Sequence, residues 1–216
     1  MLKIVDVSKA YSNHQALTNI NFDVPKGTIF GLLGPNGAGK TSLIRIINQI
    51  TAQDSGEIYI NDKKLTREHL KSIGYLPEER GLYKDMSAVD HLYFFGDLRG
   101  MEKSLITERA KGWFKKLEMQ KWANKKVSEL SKGMQQKVQF LLTVIHNPEL
   151  IILDEPFANL DPTTQIRLKG IIKNLAAEKD TTVLVSSHDL SHVTEVCERI
   201  VVLEKGLIQE DIQNSE

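Results

Sequence analysis

A single cysteine, Cys197, is the whole thiol complement of the 216 residues. No internal disulfide can staple the fold, and a reducing cytoplasm is the compartment that fits. Charge of one sign is equally lacking: 28 basic residues stand against 28 acidic ones. No whole-molecule field draws in nucleic acid or an anionic membrane, so any polyanion must be held locally. Long hydrophobic runs are missing as well. The longer apolar stretches, Phe140 to Ile145 and Leu150 to Leu153, fall far below the ~20 residues a helix needs to cross a bilayer. The opening Met-Leu-Lys-Ile-Val-Asp lacks the basic and then apolar layout of a secretion signal. If a membrane is involved, the chain docks to it. No repeat of 20 to 50 residues and no low-complexity tract is visible, which excludes solenoids and disorder. What remains, 41% hydrophobic and 26% charged, is the balance of one globular domain with a full core.

The pattern along the chain alternates. Short β-branched stretches run over Lys3 to Val7, Ile20 to Val24, Thr28 to Leu33 and Glu57 to Ile60, the last ending at the turn Asn61-Asp62; they predict a strand-rich first third. After another strand at Ile73 to Leu76, apolar residues fall at helical spacing: Val89, Leu92, Tyr93 and Leu98, then Ile106, Ala110, Trp113, Phe114 and Leu117. Roughly 85–147 is therefore expected to be helical. The last third reads as strand Leu150 to Leu153, helix from about Pro162 to Glu178, strand Thr182 to Ser186, helix near Leu190 to Cys197 and strand Ile200 to Leu203. Such alternation predicts an α/β fold with a mainly parallel sheet flanked by helices.

Gly34-Pro35-Asn36-Gly37-Ala38-Gly39-Lys40-Thr41 fits G-x-x-x-x-G-K-[ST] and sits between the strand Thr28 to Leu33 and a helical Ser42 to Ile47, the context this phosphate cradle requires. Its glycines let the backbone curl so that successive N–H groups face inward, and the helix presents its positive end to a β-phosphate. Lys40 adds a point charge near the β- and γ-phosphates. Thr41 offers a hydroxyl to Mg²⁺, which prefers oxygen ligands and arrives with the nucleotide. Farther on, Leu150-Ile151-Ile152-Leu153 ends abruptly in Asp154-Glu155-Pro156, as a buried parallel strand does when it delivers carboxylates to its C-terminal edge. Asp154 is assigned to the metal and Glu155 to the attacking water. Alone, the two acids would read equally as a capping pair before a loop.

Five further segments make the chain resemble the ATP-binding subunits of ABC transporters, from about Leu2 to Gln209. Leu130-Ser131-Lys132-Gly133-Met134-Gln135-Gln136-Lys137 resembles the family signature L-S-G-G-Q-x-Q-R. It keeps the serine and second glycine, with Lys132 in place of the first glycine and Met134 in place of the glutamine. The resemblance implies that Ser131 and Gly133 bind the γ-phosphate of ATP held on a second subunit; Lys132, where the chain departs from the signature, offers positive charge instead. Tyr11 resembles the aromatic that stacks on adenine, or is a half-buried tyrosine at a strand end. Ala158-Asn159-Leu160-Asp161 resembles the loop in which Asp161 reaches across the dimer interface; by itself it is a helix cap before Pro162. Ser187-His188-Asp189 resembles the switch histidine that contacts the γ-phosphate. His14, His69, His91, His146 and His192 show no metal-ligand spacing and read as structural or surface. Ile73-Gly74-Tyr75-Leu76-Pro77-Glu78 carries Glu78 where most of the family has glutamine, and Glu78 is expected to keep the metal contact.

The fold class implied is a P-loop NTPase with an N-terminal antiparallel β subdomain and an inserted α-helical subdomain. One ATP-binding domain spans 1–216, with about 1–84 and 148–216 as nucleotide-binding core and about 85–147 as the helical part. The phrases at 76–83 and 130–137 resemble the branch serving sodium and drug exporters. Tyr83 and Tyr93-Phe94-Phe95 lie where the family carries a groove for its membrane subunit; Phe94 and Phe95 read preferentially as packing within the subdomain. Lys115-Lys116, Lys121 and Lys125-Lys126 read as a solvated helix face. One copy of each motif serving a shared site implies a dimer, preferably of identical subunits. ATP and Mg²⁺ are the expected cofactors, a separate integral membrane permease the partner, and the cytoplasmic face of the membrane the location. The alternatives are a soluble ATPase of the same superfamily acting on ribosomes or DNA, and a non-hydrolysing ATP-dependent clamp.

Overall fold

A computed structural model describes residues 1–79, 81–158, 160–179 and 181–214, the side chains of Glu178 and Lys179 apart. Strands β1 (Leu2–Tyr11), β2 (His14–Val24), β3 (Ile29–Leu33), β4 (Ser55–Ile60), β5 (Lys63–Lys64), β6 (Ile73–Leu76), β7 (Leu150–Asp154), β8 (Thr182–Ser187), β9 (Arg199–Glu204) and β10 (Leu207–Gln213) form two sheets. Helices α1 (Lys40–Ile47), α2 (Ala88–Leu98), α3 (Lys103–Lys116), α4 (Lys132–Val144), α5 (Pro162–Lys179) and α6 (Leu190–Thr194) accompany them. The smaller sheet, in order β2-β1-β4-β5, is antiparallel. The larger runs β10-β9-β3-β8-β7-β6 and is parallel except for β10.

The larger sheet is covered on both sides, which is why β7 up to Leu153 and all of β8 read as unbroken apolar or small residues, and why both strands are buried at every position. Alternate side chains divide between two cores. Leu150, Ile152, Leu184, Phe30 and Leu32 join Leu2, Ile4, Leu43 and Ile47 between the two sheets and α1. Ile151, Leu153, Val183 and Val185 pack instead with the helical residues Leu92, Ile106, Phe140 and Ile172. Phe22 and Phe30 stack at 5.1 Å.

Several boundaries differ from the sequence reading. β1 and β2 extend well beyond Lys3 to Val7 and Ile20 to Val24: bulges recur between Ile4 and Ala10, Asp6 and Asn19 take left-handed conformations, and the apolar alternation breaks past Val7 and before Ile20. Side chains repair those bulges: Asp6 N–H donates to Asn21 Oδ1 at 2.9 Å, and Asn19 N–H to Ser8 Oγ at 2.9 Å. The segment 85–147 holds three α-helices and two single 3₁₀ turns rather than continuous helix. Capping residues punctuate it: the Ser87 hydroxyl accepts from Asp90 N–H at 3.1 Å, and Ser131 caps α4. The helix expected to reach Cys197 ends at Thr194. β5 and β10 were not anticipated; both are edge strands, short or largely exposed, with little apolar pattern to mark them.

Candidate nucleotide site

The cradle is built by close backbone packing. At Gly34 a Cβ would press onto the carbonyl oxygen of Leu203 in β9. At Gly39, where φ is 109°, it would meet the carbonyl oxygen of Ala16; both contact and conformation demand glycine. Gly34 N–H donates to Ser187 O at 3.1 Å and Gly206 N–H to Ala38 O at 3.0 Å, pinning the loop to β8 and the β9–β10 turn. Pro35, Asn36 and Gly37 are exposed on its rim. No acidic residue occupies the first turn of α1, so its N-terminal dipole is uncompensated and faces the loop. Lys40, 6% exposed, turns its ammonium into the cradle, donating to Gly34 O at 2.6 Å and Pro35 O at 3.2 Å.

Parallel pairing brings the acids alongside. Asp154 of β7 lies opposite Ser186 of β8, and Leu33 of β3 opposite Ser187. The Ser186 hydroxyl donates to Asp154 Oδ1 at 2.5 Å and accepts from Glu155 N–H at 3.1 Å. Burial pushes the Asp154 carboxyl up, the Ser186 and Thr41 hydroxyls pull it back, and the Glu155 charge adds to the rise. Its Oδ2 is buried and meets no hydrogen-bond partner among the described residues. A buried carboxylate oxygen without a partner, in a cleft that Thr41 and Glu78 also line, belongs to an oxygen donor set of the kind that suits Mg²⁺. Glu155 sits at φ 50° just past the strand. Its Oε1 lies 3.0 Å from His188 Nδ1 and 3.8 Å from Lys40 Nζ.

Tyr11, His14, Ala16, residues 36–42, Glu78, Asp154 and Glu155 line one cleft of about 290 Å³. Tyr11 is 40% exposed, and Lys9 Nζ stands 5.4 Å over its ring. Asp54 holds that arrangement, accepting from Lys9 Nζ at 2.6 Å and Ala10 N–H at 2.7 Å. His188, half exposed, joins the cleft through Glu155. Among those missed from sequence are two polar contributors. His14 pairs with Tyr11 across the β1–β2 turn, a place readable once those strands are drawn to full length. Ser186 had no signal beyond its position at the end of a strand.

The signature residues lie outside this cleft. Ser131 Oγ accepts from Met134 N–H at 3.3 Å at the start of α4, Lys132 is exposed, and Met134 packs against the helical core. Gly133 faces Leu160, whose Cδ2 would lie 3.7 Å from a Cβ there. Asp161 caps α5, accepting from Thr164 N–H at 3.0 Å and from the Thr164 hydroxyl at 2.7 Å; Asn159 and Arg80 lie outside the described residues. Phe94, 41% exposed, and Phe95 pack edge to face at 5.3 Å beside Tyr83 and the buried His91. His91 is satisfied on both nitrogens, by Ser87 O at 2.8 Å and Tyr83 N–H at 2.9 Å. Lys115, Lys116, Lys121, Lys125 and Lys126 are all exposed.

Residues 17–158 match the family described as ABC transporter. The chain belongs to the ABC transporter family. An uncharacterized ABC transporter ATP-binding protein of Methanocaldococcus jannaschii is 44% identical over 205 residues, which are 95% of this chain and 74% of that protein. The lantibiotic transport ATP-binding protein SrtF of Streptococcus pyogenes is 34% identical over 208 residues, 96% of this chain and 89% of its own. A solved dimeric cassette from a bacterial ABC transporter overlays with TM-score 0.91 at 27% identity, covering all of both chains. The same cassette in a post-hydrolysis dimer bound to ADP and Pi gives 0.89 at 28% identity. The α/β P-loop fold, the ATP-binding role in a transporter and ATPase activity follow from membership and these likenesses. No helix of this cassette, among its described residues, is long and apolar enough to cross a membrane.

Proposed function

We propose that two copies of this chain close around two Mg-ATP, hydrolyse them, and drive a separate membrane subunit, in the direction of export. The reading is carried by one observation: Lys40 Nζ and His188 Nδ1 converge, at 3.8 Å and 3.0 Å, on one carboxylate oxygen of Glu155 at the mouth of the cradle. In this reading Tyr11 stacks on adenine, the 34–42 backbone and Lys40 hold the phosphates, and Thr41, Asp154 and Glu78 hold Mg²⁺. The ion, when bound, neutralises developing charge on the phosphate oxygens. Glu155 orients the attacking water and takes its proton, and His188 donates toward the γ-phosphate while keeping Glu155 aimed. Ser131, Lys132, Gly133 and Met134 stand outside this chain's own cleft, which supports their serving a second copy's nucleotide at the positive end of α4. Asp161, exposed at the head of α5, is placed beside them at the dimer seam.

The helical part, about 85–147, is proposed as a subdomain that carries the signature and docks the permease at the cytoplasmic face of the membrane. Exposed Tyr83 and Phe94 support this, since large aromatic surface left in water marks a contact site. Export rests on the resemblance of 76–83 and 130–137 to that branch. The test is the solution mass of Glu155→Gln with and without Mg-ATP, beside phosphate release by the unmodified chain. A nucleotide-dependent dimer of the variant, with turnover lower by about 10²–10⁴, is expected. Unchanged turnover in Glu155→Gln would remove that residue from the mechanism, and a monomer at saturating Mg-ATP would remove the homodimer.

A further inference from the structure

We propose that His192 is a positioning residue for hydrolysis: packed on Phe157, it ties the loop that carries Glu155 to the turn that carries His188. The inference rests on the roles proposed above for those two residues.

Glu155 and His188 leave neighbouring parallel strands and then part company. One chain turns through Pro156, Phe157 and Ala158, where Ala158 N–H donates to Glu155 O at 3.2 Å, toward α5. The other turns at Asp189 into α6. Between the functional side chains runs one contact of 3.0 Å, from a glutamate in the left-handed region to a half-exposed imidazole. Such a contact keeps its length only if the two loops behind it are fixed to each other.

The fixing lies one layer back. Phe157 is 1% exposed, and its ring centroid is 5.3 Å from that of His192, the planes inclined by 57°. Lys169 of α5 stands 5.5 Å over the same ring and pairs with Glu195, just beyond α6, at 2.6 Å. His192 also faces Asp189, with Nε2 at 3.8 Å from Oδ2. That carboxylate caps α6 through Ser191 N–H at 2.9 Å, and Asp189 N–H donates to Ser187 Oγ at 3.0 Å. The imidazole therefore touches the residue two beyond Glu155 on one side and the residue next to His188 on the other. Its Nδ1 is buried with no hydrogen-bond partner among the described residues, and its Nε2 approaches Asp189 only to 3.8 Å, beyond hydrogen-bond range, so the ring is held mainly by its shape and packing, and another aromatic plate should serve in its place.

The experiment measures kcat and KM for ATP in His192→Ala and His192→Phe, each alone and combined with His188→Ala, with Glu155→Gln as reference and melting temperatures throughout. His192→Ala is expected to lower kcat by about 10- to 100-fold, the scale of an ångström-sized misplacement, with KM within about twofold. His192→Phe should recover to within about threefold of the unmodified chain. In the His188→Ala background, adding His192→Ala should cost less than about twofold more, because both changes break one device. If the alanine variant keeps kcat within about twofold, or loses as much in the His188→Ala background as alone, His192 is merely structural and the inference falls. Should alanine prevent folding, the phenylalanine variant decides: a slow enzyme with an unchanged melting temperature overturns the idea. Wild-type turnover in His188→Ala or Glu155→Gln would instead overturn the site reading beneath it.

Discussion

Removing one hydroxyl, Ser186→Ala, exposes how the two acids are held. Ser186 is fully buried, and its oxygen serves Asp154 Oδ1 and Glu155 N–H together. Two buried polar groups lose their partner at once, and each such loss costs about 1–3 kcal/mol. Protonation limits the Asp154 share, because burial already raises that carboxyl and the serine bond is the largest of the contacts, Thr41 and Lys40 among them, that favour its charged form. The expected loss is about 2–4 kcal/mol. For a chain of this size that lowers the melting temperature by about 5–15 °C. The control is Ser187→Ala, where the bond lost is to Asp189 N–H beside an exposed side chain that water can reach; its cost should stay near or below about 1 kcal/mol. Thermal unfolding followed by circular dichroism without nucleotide reads both, and the Mg²⁺ dependence of phosphate release reads the site. Ser186→Ala melting within about 2 °C of the parent, or no lower than Ser187→Ala, would refute the account.

Two further expectations concern packing and acid. Gly34→Ala forces a methyl onto the Leu203 carbonyl; with backbone on both sides there is no flexible neighbour to yield, so a loss of about 3 kcal/mol and of ATP binding is expected, measured by melting and nucleotide titration. His146 is depressed from 6.5 to about 4, chiefly by burial and then by the Arg99 guanidinium, whose Nη1 lies 3.0 Å from Nε2. The folded chain thus binds this proton more weakly than the unfolded one, so the contribution is complete above pH 6.5 and is lost as pH falls toward about 4. His146→Gln should flatten stability against pH in that window; an unchanged slope in urea titrations would show that acid sensitivity lies elsewhere.

How far these features were legible follows from how local their causes are. The cradle stands in eight consecutive residues because a backbone that wraps a phosphate must be written contiguously, and Gly34 and Gly39 are readable as positions where no Cβ fits. Asp154 and Glu155 were legible because an unbroken apolar run can end in charge only where a sheet edge meets a ligand or water. Ser186 was not, since its role depends on strand pairing between β7 and β8, which no local pattern encodes. The far ends of β1 and β2 were hidden because 8–11 and 14–19 are largely polar and their alternation is broken by bulges past Val7 and by left-handed Asn19. β10 follows a hairpin turn at Lys205-Gly206, both at positive φ, a signal that was present but outweighed by its exposed polar residues.

The parallel order β3-β8-β7 carries a consequence for the making of the protein. The strands that deliver Lys40, Glu155 and His188 come from opposite thirds of the chain, so their site cannot assemble until the most distant pairings have closed. Non-local pairings form late and slowly. Nucleotide should therefore recognise only completed molecules and hold them there, adding about 2.7 kcal/mol when its concentration is a hundred times its dissociation constant. The supply of ATP then sets how much of this chain persists folded as well as how fast it works.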